Sequence, residues 1–362
     1  LEICIKMFEK IKDSKDLQKI SFVLCTYFGE RTLDKCLKGL VEQDYPKEKM
    51  EILIADGGSK DKTLAIAEKY RKEHPKIIKI AHNKAQYDDG RGAGKDTFSR
   101  KAKGDLICFI DQDNILVQKD WIKRMLKPFE NPEIVAVQSR MAIMKKDSLI
   151  NKYLSAIGIE DPFAISYSLN AQITLNPKKF QYNKEGDYFI CKLNKSDFLY
   201  CGNNGFMIRK KEFFDAGGYN QDVDNFYRMT LKRYKIAVPK EAKLYHSATT
   251  DFKHMVEKRT KYVVRYIEEN YEDRDFYWFD LKRNNFSQNF KFIRSVLFNI
   301  FFIPGMIQSL YMWKKTKGSY WLLHPFMLFS ITWSYIFGSI YSFFRRKILK
   351  KGFGLDMTKQ NN

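Results

Sequence analysis

Three apolar runs in the first third of the chain each end on polar residues: residues 20–24 (ISFVL), 52–55 (ILIA) and 106–110 (LICFI). Runs of this length with no alternating polar face predict strands buried on both sides, as in a parallel sheet. Between the first two, Leu33, Cys36, Leu37, Leu40 and Val41 recur at spacings of three and four, which predicts an amphipathic helix. After the second run, Gly57 and Gly58 permit a sharp turn, Ser59 stands as an N-cap, and Asp61 and Thr63 fall in a first helical turn. Strand and helix therefore alternate, and the polar residues collect at the carboxyl ends of the strands, where α/β sheets place their binding sites.

Much farther along, the pattern changes. Residues 295–313 contain no charged side chain, and residues 319–344 none apart from the ionisable His324. Both runs have the length of a membrane-spanning helix, and Tyr311, Trp313, Tyr320 and Trp321 stand at their ends, where interfacial aromatics collect. Lys291, Arg294, Arg345, Arg346, Lys347, Lys350 and Lys351 flank the outer ends. That bias predicts a transmembrane hairpin with the preceding domain and the tail in the cytoplasm, at a cell membrane. Lys314, Lys315 and Lys317 in the connecting loop run against it, and insertion into one leaflet would remove the conflict.

Charge adds a partner. With 64 Lys and Arg against 43 Asp and Glu, the chain carries +21, which suits anionic lipid or a phosphorylated substrate. No Arg-rich tract or nucleic-acid motif is present, so no nucleic-acid partner is expected. Six cysteines without a Cys-x-x-Cys spacing predict reduced thiols.

Two carboxylates, Asp111 and Asp113, follow the third run directly. A hard, oxygen-rich pair at a strand end suits Mg²⁺ or Mn²⁺, most often held for a substrate phosphate. Residues 88–103 are glycine-rich and basic, with Gly90, Gly92 and Gly94 around the candidate anion ligands Arg91 and Lys95, but they lack the Walker spacing. Taken in order, CTYFGE (25–30), DGGSKDKT (56–63), FIDQDN (109–114), GGYNQDVD (217–224) with Arg228, and YKIAVPKEAKLYH (234–246) resemble the family 2 inverting glycosyltransferases. The resemblance covers residues 18–265.

That resemblance implies an α/β, GT-A nucleotide-diphospho-sugar transferase fold, with a mostly parallel central sheet and helices on both faces. The domains expected are an amphipathic helix or tail at 1–17, the catalytic domain at 18–270, a linker at 271–291, a two-helix membrane hairpin at 292–345 and a basic tail at 346–362. It implies a UDP- or GDP-sugar donor and a nucleoside pocket of Thr26, Tyr27, Glu30, Asp56, Lys95 and Asp111, with Phe28 standing where the family often has Asn. It implies a metal held by Asp113 with Asp111 and His246, and Gln112 pointing elsewhere. Asp222 matches the general base, with Asp224 as the fallback. Gly202, Asn203 and Arg228 match the donor-sugar and acceptor side. The polymer-synthase signature Gln-x-x-Arg-Trp is absent, so transfer of one sugar to a lipid-linked acceptor is expected, a polyprenyl or dolichyl phosphate or a lipid-linked glycan. The helix carrying Lys253, His254, Lys258, Arg259, Lys261 and Arg265 reads as a membrane-surface element. The alternatives are a nucleotidyltransferase acting on sugar phosphates and a non-catalytic membrane-tethered binding module.

Overall fold

A computed structural model describes residues 17–82, 93–167, 178, 180–184, 186–191, 204–220, 222–249, 251–270, 274–279 and 286–350. The chain forms two compact units, each built from separate stretches: Leu1–Ala142 with Ala171–Ser247, and Ile143–Asn170 with Ala248–Asn362.

The first unit begins as the apolar runs predict. Strands β1 (Ile20–Thr26), β2 (Met50–Asp56), β3 (Ile78–His82) and β4 (Leu106–Asp111) lie parallel in the order β3-β2-β1-β4. Their register sets Thr26 beside Asp56 and Cys25 beside Asp111, so the polar ends line up at one edge. Helices α1 (Leu33–Val41) and α2 (Thr63–Glu73) cover one face. There Leu33, Leu37 and Leu40 join Phe22, Leu24, Ile52, Ile54, Cys108 and Ile110 in one buried cluster. Phe109 points the other way along β4 and packs on Phe213 and Tyr219. Helix α3 (Ala93–Lys101) lies against β1 and β2.

After β4 the chain forms β5 (Asn114–Leu116), α4 (Trp121–Leu126), β6 (Ile134–Gln138) and β7 (Arg140–Met141). It then contributes α5 (Leu149–Ile157) and α6 (Phe163–Ser166) to the second unit. It returns with β8 (Phe180–Tyr182), β9 (Tyr188–Cys191), β10 (Phe206–Arg209), α7 (Lys210–Asp215), α8 (Asp222–Leu231), β11 (Lys235–Pro239) and β12 (Lys243–His246). Among the described residues the main sheet has nine strands, in the order β3-β2-β1-β4-β10-β6-β11-β9-β8. Four of its eight pairings are antiparallel, so the sheet is mixed rather than mostly parallel. Two of the four come from β10, which enters between β4 and β6 running against both, and the other two from β9, which runs against β11 and β8. A second sheet, β5-β12-β7, pairs His246 with Asn114.

Among the described residues Cys25, Cys36 and Cys108 are free thiols, the last two buried, and Cys191 is buried as well. Cys4 and Cys201 lie outside the described residues, as do residues 1–16 of the expected N-terminal helix.

The second unit is helical. Ser148 caps α5, its Oγ accepting from the Asn151 amide, and Gly158 ends it in the left-handed conformation at φ 72°. Asp251 caps α9 (Phe252–Arg265) in the same way through the His254 amide, and a π-helical turn, Tyr266–Asn270, continues it. The first uncharged run does not form one straight helix. It is divided between α10 (Phe286–Ile300) and α11 (Phe302–Thr316), which meet at 84°. Pro304 explains the position of the break. In a continuous helix its ring would strike the carbonyl of residue i−4, which is Ile300, the last residue of α10. The second run, after a short 3₁₀ turn at Ser319–Leu323, becomes α12 (His324–Lys350). Among the described residues, Ser319–Arg345 is the one helix long and apolar enough to cross a membrane.

Candidate active site

The site is built at the carboxyl ends of β1, β2 and β4. Asp56 ends β2 fully buried. Its Oδ1 accepts from Thr26 Oγ1 (3.1 Å) and Ser59 Oγ (2.6 Å), and its Oδ2 from the amides of Gly58 (2.9 Å) and Ser59 (3.0 Å). Four bonds fill a carboxylate's usual capacity, so Asp56 first of all fixes the turn that follows β2. Ser59 is therefore not the helix cap that its position suggested. Helix α2 starts at Thr63, whose amide is taken by Asp61 Oδ1 at 3.1 Å.

Ser59 instead fastens the neighbouring loop. Its Oγ accepts from the amide of Phe28, a residue held at φ 49° and half exposed. The Gly29 amide donates to Thr63 Oγ1 (2.7 Å), and the Glu30 amide to Asp61 Oδ2 (3.2 Å). Glu30 Oε2 in turn accepts from the Lys62 amide at 3.2 Å. Gln112 brackets Tyr27 from the other side: Oε1 accepts from its amide (2.9 Å) and Nε2 donates to its carbonyl (3.0 Å). Thr26, Tyr27, Glu30 and Asp56 are thus brought together, and Gln112 points away from its flanking acids as expected.

The two aspartates of FIDQDN have different partners. Asp111 Oδ1 lies 3.1 Å from Lys95 Nζ, on α3, and that ammonium stands 5.3 Å from the centre of the Tyr219 ring. Asp113 Oδ2 lies 3.2 Å from His246 Nε2. Strand pairing makes that contact: β12 runs antiparallel to β5, immediately after Asp113, and the Ser247 amide donates to the Asp113 carbonyl at 3.0 Å. The buried Asn114 joins the pieces. Its Oδ1 accepts from the Asp111 amide (3.0 Å), and its Nδ2 reaches Asp113 Oδ1 (3.2 Å) and Asn204 Oδ1 (2.8 Å).

A carboxylate oxygen and an imidazole nitrogen facing each other form a donor set that suits Mn²⁺ better than the oxygen-preferring Mg²⁺. The residues present therefore fit a divalent cation. Cys25 and Cys36 lie nearby but do not compete. Burial pushes the Cys25 thiol up to about 12, with Lys95 lowering it and Asp111 raising it. Burial likewise raises Cys36, so both stay protonated and poor ligands at neutral pH.

Gly217 and Gly218, both at positive φ, turn the chain into α8. Asp222 is the first residue of that helix, and its side chain lies outside the described residues. Asp224 is fully buried and accepts from Asn220 Nδ2 at 3.2 Å. Arg228 Nη1 donates to the Gly217 carbonyl at 3.3 Å. Gly202, Asn203 and Arg91 lie outside the described residues. Ser59, Thr63, Gln112 and Asn114 are the residues whose site roles sequence reasoning missed. For Ser59, Gln112 and Asn114 the signal is a polar side chain within three residues of a strand's carboxyl end; Thr63, seven residues past the end of β2, carries no such signal.

Residues 21–213 match the model of the family described as glycosyl transferase family 2. A 127-residue segment is 47% identical to the dolichyl N-acetyl-alpha-D-glucosaminyl phosphate 3-beta-D-2,3-diacetamido-2,3-dideoxy-beta-D-glucuronosyltransferase of Methanococcus voltae, covering 33% of this chain and 37% of that protein. A 108-residue segment is 32% identical to the poly(ribitol-phosphate) beta-N-acetylglucosaminyltransferase TarS of Staphylococcus aureus, covering 30% and 18%. The match spans less than half the length of either curated relative. Among solved structures, the mannosyltransferase PcManGT from Pyrobaculum calidifontis, in complex with GDP-Man and Mn²⁺, superposes with a TM-score of 0.53 over 92% of this chain and 93% of that one. At 12% sequence identity that likeness is one of fold.

Proposed function

The chain belongs to glycosyl transferase family 2, and from that premise we propose that it moves a single sugar from a nucleotide-diphosphate sugar to a lipid-linked acceptor at the cytoplasmic face of a membrane. The observation that carries this reading is the division of labour in the Asp-x-Asp pair, Asp113 facing His246 and Asp111 holding Lys95. The lipid arm is supported by the dolichyl-phosphate substrate in the name of the M. voltae relative and by the uncharged C-terminal runs.

In this mechanism the loop of Thr26, Tyr27 and Glu30 receives the nucleoside beside Asp56. Its backbone is already fastened by side chains, so binding orders little that is free. Asp113 and His246, with Asp111, would hold Mn²⁺ or Mg²⁺, and the ion would supply Lewis-acid stabilisation of the departing diphosphate. Lys95 offers a second positive charge to the same phosphates from its place between Asp111 and Tyr219. Asp222 accepts the proton of an acceptor hydroxyl as the anomeric carbon is attacked from the opposite side, inverting it. Asp224, buried and bonded to Asn220, is poorly placed for that task. Arg228, Gly202 and Asn203 are assigned to the donor sugar and acceptor.

The test is a transfer assay with the full chain, UDP- and GDP-sugars, and polyprenyl phosphate or a membrane lipid extract, with Mn²⁺ or with EDTA. Formation of a glycosylated lipid that EDTA abolishes is expected. Transfer only to water-soluble acceptors, or transfer indifferent to EDTA, overturns the reading.

A further inference from the structure

The helices of the second unit show apolar side chains that sugar transfer alone does not require. Phe286, Phe290 and Leu297 form one exposed stripe on α10, and Phe326, Phe337 and Phe344 another on α12, with Phe286 at 79% and Phe337 at 61% exposure. By length alone α12 could cross a bilayer. The 27 residues of Ser319–Arg345 come to about 40 Å of helix against a hydrocarbon core of about 30 Å.

Its opposite face argues against a crossing. Near the middle of that stretch, Tyr335 Oη donates to Asp161 Oδ2 (2.9 Å) and accepts from Arg259 Nε (2.8 Å), while Arg259 Nη2 lies 2.7 Å from the same carboxylate oxygen. Farther along, Arg345 Nη1 lies 3.2 Å from Glu268 Oε2. Between these ties Gly338 abuts α9 so closely that an added Cβ would come within 2.7 Å of Val263 Cγ1. Residues 335–345 therefore run beside α9 and its π-helical turn, tied to Arg259 and Glu268. Carrying that face through hydrocarbon would take the Asp161–Arg259 pair and the exposed Lys261 with it. Each charged residue at the bilayer centre costs about 2.5–3.5 kcal/mol on insertion scales. The stretch before Tyr335, residues 319–334, comes to about 24 Å, too short to span alone. The first uncharged run is bent by 84° and is no better suited.

We propose, resting on the membrane reading above, that α10, α11 and α12 form a one-leaflet docking surface for an anionic bilayer. In this arrangement α12 lies in the plane of the interface. Its aromatic stripe faces the acyl chains, its charged partners cover the other side, and neither uncharged run crosses. Lys314, Lys315 and Lys317, exposed at the turn between α11 and α12, and the exposed Arg294 meet the headgroups. The three loop lysines then need no translocation, which removes the conflict in the charge bias.

The test uses the full chain bound to preformed phosphatidylcholine–phosphatidylglycerol vesicles. Lys253→Cys, at a site 87% exposed on α9, and Lys317→Cys, at the α11–α12 turn, are each labelled with a membrane-impermeant maleimide, read as label gained over the unsubstituted protein. Equal labelling of both before detergent is expected, with weaker flotation on phosphatidylcholine alone. Lys317→Cys protected until detergent, while Lys253→Cys labels freely, means the runs cross and overturns the proposal. Equal flotation on both lipids overturns the anionic preference. Failure to float on either lipid removes the membrane reading itself, and this topology with it.

Discussion

Asp111 and Asp113 are one residue apart, yet one faces a lysine and the other a histidine, and substitution should separate them. Asp113→Ala is expected to lose most of the divalent-dependent affinity for a nucleoside diphosphate, measured calorimetrically with and without EDTA; unchanged affinity would show that the ion is held elsewhere. Asp222→Asn should cut turnover by roughly 10²–10⁴-fold, the usual worth of a general base, while leaving the donor Kd near normal. Asp224→Asn should act differently. Its carboxylate is fully buried against Asn220, so thermal stability falls before chemistry does; the reverse ranking would mean the two acids have been assigned the wrong way round. The acids themselves were legible in the sequence because apolar runs point to strand ends. Asn114 and Gln112 were not, because nothing in a linear pattern says that a neutral amide will turn back onto a loop 85 residues upstream, as Gln112 does at Tyr27.

Among the elements, the centres of β1, β2 and β4 could be read from their apolar runs, and the observed strands extend those runs by one to three residues. Strand β10 could not. Its four residues resemble many others, and its antiparallel place is decided by partners far away in sequence. The same is true of β12, whose pairing with β5 delivers His246 to Asp113. The joint between β1 and β2 carries a testable charge. Glu51, buried, accepts from Ser21 Oγ (2.7 Å), the Lys103 amide (2.9 Å) and Lys79 Nζ (2.6 Å). Burial alone would raise its carboxyl, but Lys79, Lys103 and Ser21 outweigh it and hold it below the usual range. A depressed folded value means that the stabilisation is present above the unfolded pKa, about 4.3, and is lost as pH falls through the lower folded value. Glu51→Gln should therefore destabilise by about 1–3 kcal/mol at neutral pH. In denaturant titrations the difference from the parent should shrink as the pH drops below 4; a gap that stays constant with pH would exclude the charge as its origin.

For the whole molecule, charge and hydropathy set the C-terminal part apart, but the division into units was not legible. Sequence reading placed one boundary near residue 270, whereas the units trade segments at 142/143, 170/171 and 247/248. The contacts that hold 143–170 in its unit, such as Tyr153 Oη to His324 Nδ1 at 2.8 Å and Asp161 to Arg259 at 2.7 Å, join residues about 100 to 170 positions apart. No local pattern announces them. Interlacing of this kind means that no one scission frees either half. A protease cut at 247/248 should leave two fragments that co-elute on gel filtration, held by Tyr153, Asp161 and the Asn151–Thr249 bonds, and that part only in denaturant. Fragments that separate without denaturant would show that those ties are too weak to act as a clasp. For anyone trimming the chain to obtain a soluble enzyme, the chain behaves as a braid rather than a string: removing α12 also unravels a segment that lies well before the last catalytic strand.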